Sequence, residues 1–245
     1  MLGYYAALME FTPVGLPDPA ARWEVGGDVT YLPPLSLSDR LVGFGGTKAE
    51  DTNLCPVFPR LRASLSLGAW AIEAGWVPPV GVCHAQADMV SGAVLRRFPL
   101  TGPWGAGLRA SVHYGTLRAA ITCDAAAVAD PGNETCFGGR VSDDRIIPFT
   151  LALDGLLTFH AGGVVEPYLL LGVRRDAVRF DVHYQTPWGP LDQQRLTATL
   201  TRVELAAGAA WRAAPPIRLG GELYYAPGAV LTVRFRAAYA FGRTR

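Results

Sequence analysis

Residues 104–115 read WGAGLRASVHYG, and their alternation decides the fold. Trp104, Ala106, Leu108, Ala110, Val112 and Tyr114 fall on one side, and Gly105, Gly107, Arg109, Ser111, His113 and Gly115 on the other. A two-residue period marks a β-strand with one apolar and one polar face. A ring stands at each end of the apolar face. A tilted strand of roughly ten residues crosses a bilayer, whereas strands of water-soluble domains usually run about five or six.

The same period recurs on both sides of this stretch. Trp23, Val25, Val29 and Tyr31 alternate with Glu24, Gly26, Asp28 and Thr30. Leu61, Ala63, Leu65 and Leu67 alternate with Arg60, Arg62, Ser64 and Ser66. The phase then flips at Gly68-Ala69, as in a tight hairpin, and Trp70, Ile72, Ala74 and Trp76 follow around Glu73. A weaker strand covers Cys83–Phe98. Further strands cover Ile147–Asp154, Tyr168–Tyr184, Arg195–Trp211, Ile217–Tyr225 and Leu231–Phe241. In the second of these the phase slips near Arg174–Asp176, as at a β-bulge. The count is about ten strands, with eight and twelve as the neighbouring alternatives. Short turns near 68–70, 99–103, 160–164 and 213–216 alternate mostly with longer segments at 33–58, 122–145 and 185–194. No repeat and no linker divides the chain, so residues 22–245 read as one domain. Residues 1–21 read as a tail, a lumen plug or a further strand.

Composition fits an unusual object. The 245 residues are 50% apolar and only 18% charged, with a net charge of +1. Soluble domains carry about 25% charged residues. Disorder needs low hydrophobicity and high net charge, so it is excluded. The small net charge gives no pull toward nucleic acid. No run of about 18 apolar residues exists to make a transmembrane helix. Met1–Ala20 has no basic start and contains Glu10, Pro13 and Pro17, so it does not read as a secretory signal. Either the numbering begins inside a longer precursor or a signal has been removed or mis-annotated.

Alternation shows one apolar face without saying whether core or lipid covers it. In an up-and-down order, Trp23, Trp70, Trp104, Tyr168, Trp211 and Phe241 fall at one level, and Tyr31, Trp76, Tyr114, Tyr184 and Tyr225 at the other. Two such girdles suit two membrane–water interfaces. The polar face mixes both signs of charge. Its acids are Glu24, Asp28, Glu73, Asp88, Asp154, Glu204 and Glu222; its bases are Arg60, Arg62, Arg96, Arg109, Arg218, Arg234 and Arg236, with His113 beside them. Balanced guanidinium and carboxylate groups suit an enclosed lumen where they pair. The expected fold is therefore all-β, an antiparallel up-and-down transmembrane barrel.

This pattern, over roughly Arg22 to Phe241, resembles the small outer-membrane β-barrel proteins of diderm bacteria. The resemblance implies a bacterial outer-membrane location, an even strand number, short periplasmic turns, longer outer loops and periplasmic termini. It also implies contact with outer-membrane lipid and lipopolysaccharide, and an envelope or surface protein as a further partner. The last strand resembles the assembly signal of such barrels, although Gly242-Arg243-Thr244-Arg245 follows Phe241.

In that topology Cys55, Cys83, Cys123 and Cys136 all lie toward the outer end. Local pairs Cys55–Cys83 and Cys123–Cys136 would staple outer loops on an oxidising side of the cell. No Cys-x-x-Cys and no histidine cluster suggests a metal, and no cofactor is expected. Ser111 and His113 share the inward face, but neighbours on one strand seldom aim at each other, so a polar lumen pair is the plainer reading. Asp143-Asp144 resembles the acidic rim of the omptin proteases without a matching His–Asp partner set. Asn133-Glu134-Thr135 matches a glycosylation sequon that has no meaning in a bacterium. The expected role is non-enzymatic, a structural or surface-interaction barrel with a charge-paired lumen. The alternatives are a narrow channel for small polar or anionic solutes and, behind it, a hydrolase.

Overall fold

Ten long strands pair in one antiparallel sheet that closes on itself. A computed structural model describes residues 1–43, 48–50, 55–160, 164–187, 189–192, 195–214 and 216–243. The strands are β1 (Ala21–Tyr31), β2 (Val57–Leu67), β3 (Trp70–Val77), β4 (Ala85–Pro99) and β5 (Trp104–Ala119). They continue as β6 (Asp144–Phe159), β7 (Val165–Asp181), β8 (Arg195–Ala214), β9 (Ile217–Ala226) and β10 (Val230–Arg243). Each pairs with its neighbours in sequence, and Trp23 of β1 opposite Phe241 of β10 closes the barrel. The last strand therefore closes the sheet into a barrel. No helix of the described residues is long and apolar enough to cross a membrane.

Burial is inverted relative to a water-soluble protein. On β5, Leu108 is 49% exposed while its neighbour Arg109 is 0% exposed. Large apolar residues cover the outside all round, including Val25, Leu61, Ile72, Val94, Leu153, Leu171, Val203, Leu223 and Phe235. Most charged residues between the girdles are inside. Exposing this much aliphatic surface to water is not sustainable for a monomer, whereas hydrocarbon accepts it.

The rings sort to two levels with two exceptions. Trp23, Trp70, Trp104, Trp211 and Phe241 face outward at the end with the short turns, and Tyr31, Trp76, Tyr114 and Tyr225 face outward at the end with the long connections. Tyr168 and Tyr184, expected in the girdles, are each only 3% exposed. Tyr168 points into the lumen, and Tyr184 packs in a loop against Cys123 and Cys136. The expected slip near Arg174–Asp176 is also absent. β7 keeps unbroken register with both β6 and β8, and Tyr168, Leu170, Arg174, Asp176, Val178 and Phe180 all face inward. The false slip came from Arg175, an exposed outward arginine at the level of Thr201, where the apolar belt gives way to Thr197, Thr199 and Thr201 on β8. Asp88 and Arg96 are corrections as well. β4 turns them outward, Asp88 accepting a hydrogen bond from Trp76 Nε1 (3.4 Å) and Arg96 lying over the rings of Trp70 and Phe98. Long cations at a girdle reach back to the interface in this way.

Both expected disulfides are present. Cys55–Cys83 and Cys123–Cys136 each bridge Cα atoms 5.6 Å apart at the long-loop end.

Candidate functional site

The lumen is filled by residues 1–20. From β1 at the short-turn end, this segment runs back up through the barrel and finishes as a helix, α1 (Leu2–Leu8), in the mouth at the long-loop end. Its conformation changes with its surroundings. In the lower lumen, residues 9–18 are not helical, so their carbonyls need other partners. Arginines projecting from the wall supply them. Arg60 donates to the carbonyls of Met9 (2.7 Å) and Glu10 (3.2 Å), and Arg62 to those of Thr12 (2.5 Å) and Pro13 (3.3 Å). Arg236 donates to Gly15 (3.0 Å), Arg218 to Leu16 (3.0 Å) and Arg97 to Pro17 (2.7 Å). A guanidinium has five donors in a fixed fork, so it can serve a carboxylate and a backbone carbonyl together.

The carboxylates complete that arrangement. Arg62 pairs with Asp28 and with Glu73 (3.2 Å), Glu73 with Arg109 (3.0 Å), and Arg109 with Asp154 (3.2 Å). This chain of ion pairs crosses the lumen from β1 to β6. Phe11 is threaded into it, its ring under the guanidinium groups of Arg60, Arg62 and Arg109. Gly75 on β3 makes the space, since a Cβ there would lie 2.7 Å from the Phe11 ring. Across the lumen, Arg174 pairs with Asp176 (3.2 Å) and Glu10 (3.5 Å) and donates to Tyr224 Oη (2.8 Å), which in turn donates to Glu204 (2.8 Å). Glu222 accepts from Tyr168 Oη (2.6 Å) and from Thr12 Oγ1, with Arg234 3.7 Å away. Near the short-turn end, Arg236 pairs with Glu24 (2.8 Å), and Arg218 holds Asp18 (2.7 Å). Burial of Asp18 opposes its charge, yet Ala20 N–H, Arg218 and Arg212 hold its carboxyl below the usual carboxylate range.

Glu24, Arg60, Arg62, Glu73, Arg109, His113, Asp154, Glu204, Glu222, Arg234 and Arg236 are thus all buried within the barrel. Arg174, Asp176, Tyr168 and Tyr224 join them without having been expected there. The chemistry suggested for other residues does not assemble. His113 Nδ1 lies 2.9 Å from Ser91 Oγ, while Ser111 Oγ has no partner. Asp144 is buried and accepts hydrogen bonds from the N–H groups of Ile121 (3.1 Å), Thr122 (2.6 Å) and His183 (2.9 Å), tying three loop segments together. Among the described residues no cluster is suited to a metal ion.

A closed barrel with an aliphatic exterior, ring girdles and an arginine-filled lumen has one physical setting. The chain is a membrane-spanning β-barrel. No family model matches it, and no curated protein does. Several solved structures are similar. The attachment invasion locus protein Ail of Yersinia pestis is 10% identical with a TM-score of 0.36, covering 89% of this chain and 97% of its own. The toluene transporter TbuX of Ralstonia pickettii is 11% identical with a TM-score of 0.36, covering 96% and 93%. A loop-deleted OmpT, an outer membrane protein of Vibrio cholerae, is 12% identical with a TM-score of 0.23, covering 90% and 76%.

The upper part of the barrel differs in kind. α1 packs Tyr4, Tyr5 and Leu8 among Phe58, Val77, Ala87, Leu117, Ile146 and Val178. Only two wall donors reach its described backbone, Arg202 to Gly3 O (3.0 Å) and Arg234 to Ala7 O (3.0 Å), so the chain satisfies most of its backbone internally as a helix. Tyr4 Oη donates to Pro33 O (2.5 Å), and burial with nearby Tyr31 pushes its pKa up to about 12, which keeps it a neutral donor.

Proposed function

We propose that the protein is a closed, non-enzymatic outer-membrane barrel that works at its outer face, where disulfide-stapled loops meet an envelope or surface partner. The observation that carries this reading is the threading of residues 9–18 through the lumen, with wall arginines bound to their carbonyls. A solute path would have to displace this segment and leave buried guanidinium groups without acceptors. The two disulfides and the Asp144 hydrogen bonds support the same reading, because they hold outer loops in defined shapes. Planar-bilayer recording tests it. The full chain is expected to show no discrete conductance, and a chain deleted for residues 2–19 is expected to show it. Steady single-channel steps from the full chain would instead favour a narrow channel lined by Arg60, Arg62, Arg109, Arg234 and Arg236.

A further inference from the structure

β3 is the shortest strand of the barrel, and the reason is local. Val77 is followed by Pro78-Pro79, which lack the N–H groups needed to continue a ladder. The described pairs between β2 and β3 stop at Leu61–Trp76, so Val57–Arg60 stand beyond the last of them. On the other side, β4 continues outward from Met89, opposite Val77, and beyond the prolines Gly81–Val82 pairs again with its Gln86 and Ala85. The wall thus has a notch at its outer end, between Val57–Arg60 of β2 and the Pro78–Val82 segment.

A cavity of about 690 Å³ lies at this notch, and its lining comes from both faces of the wall. Phe58, Ala87 and Leu117 face the lumen side, with Tyr5 and Leu8 of α1. Val29 and Leu61 face the membrane side. A volume of this size falls within the range of small-molecule sites, about 300–1,000 Å³. Its few polar groups already have work. Tyr4 Oη is donated to Pro33 O, Asp28 is paired with Arg62, and Arg60 forms the floor while bound to Met9 and Glu10 carbonyls.

We infer that the notch and cavity form a side-entry binding site for an uncharged hydrocarbon ligand, either a lipid acyl chain or a free apolar solute. A charged ligand would lose its hydration here without gaining a partner. An apolar one exchanges lipid-facing surface for a lining of the same character, and the notch spares it from crossing the polar loops. The inference concerns the mouth above the plugged lumen and stands whether or not the lumen conducts.

The test uses the full chain in phospholipid nanodiscs, with 1-aminoanthracene as a fluorescent probe and empty nanodiscs subtracted. Saturable binding of one probe per barrel is expected, and Leu8→Trp or Ala87→Trp, which fill the cavity from opposite sides, should weaken it about tenfold or more. Leu153→Trp, on the lipid-facing belt, should leave it unchanged. If Leu8→Trp fails to fold by heat-shifted gel mobility, Ala87→Trp carries the test. The double variant Pro78→Val/Pro79→Thr, which restores ladder donors at the notch, should slow probe association. Mass spectrometry of the detergent-released protein separates the two sources. A lipid adduct lost in Ala87→Trp identifies an acyl chain; an adduct-free protein that takes up the probe identifies a free solute. Probe uptake no greater than empty nanodiscs with no lipid adduct, or binding untouched by both cavity-filling variants, would overturn the site. Association unchanged in the proline variant would overturn side entry.

Discussion

The lower lumen and the outer mouth are occupied by one continuous segment, yet they hold it by opposite means. Below, residues 9–18 are not helical and their carbonyls go to arginines of β2, β4, β9 and β10. Above, Leu2–Leu8 is helical and held mainly by apolar packing against the wall, with Arg202 and Arg234 reaching only the carbonyls of Gly3 and Ala7. The difference teaches that the wall dictates the plug's secondary structure. Where donors project inward, the backbone spreads to meet them. Where the wall is aliphatic, the backbone must pair with itself.

Breaking the lower region should have the larger effect. Arg62→Leu removes the partner of Asp28 and Glu73 and the donors to Thr12 and Pro13. Leaving buried charge unpaired costs about 3–5 kcal/mol, so denaturant unfolding in detergent should show a loss of that order. A loss no larger than that of a surface substitution would mean that water reaches these groups. In the mouth, Leu8→Ala should cost about 2 kcal/mol, at the low end for a core leucine because a cavity already borders it.

The smallest effect is expected at the short-turn end, and it depends on pH. Asp18 is held below its ordinary value in the fold. Its contribution is therefore complete above the unfolded value of about 4 and fades as pH falls through the folded value. Asp18→Asn should be less stable than the parent at pH 7, by at most ~1 kcal/mol given the partial exposure of its partner Arg212. The two proteins should converge in acid. A difference that persists at pH 2 would assign the effect to packing.

The same contrast explains what the sequence made legible. Strand phase was readable wherever one face is aliphatic and the other is not, as from Trp104 to Tyr114. The outer-loop disulfides followed from that topology. Phase failed on β4 and β7, where charged residues face outward at the girdles and imitate a lumen face, as Asp88, Arg96 and Arg175 do. The role of residues 1–20 had no local signature, because its partners are arginines brought from strands up to 227 positions away, the separation of Ala7 and Arg234. The one signal available was Tyr4 to Met9, an apolar run too short to cross a membrane and followed by Glu10 and Pro13. The mouth cavity was not legible at all, since it arises where the β2–β3 ladder stops short of the outer end of β2.

The direction of threading is the central claim, and chemical labelling tests it most directly. Leu2→Cys can be probed in intact cells with a membrane-impermeant maleimide, the native cysteines being bridged to one another. The account predicts that position 2, at the outer mouth, is labelled from outside the cell. Labelling that appears only after the outer membrane is permeabilised would place this segment in the periplasm and contradict it.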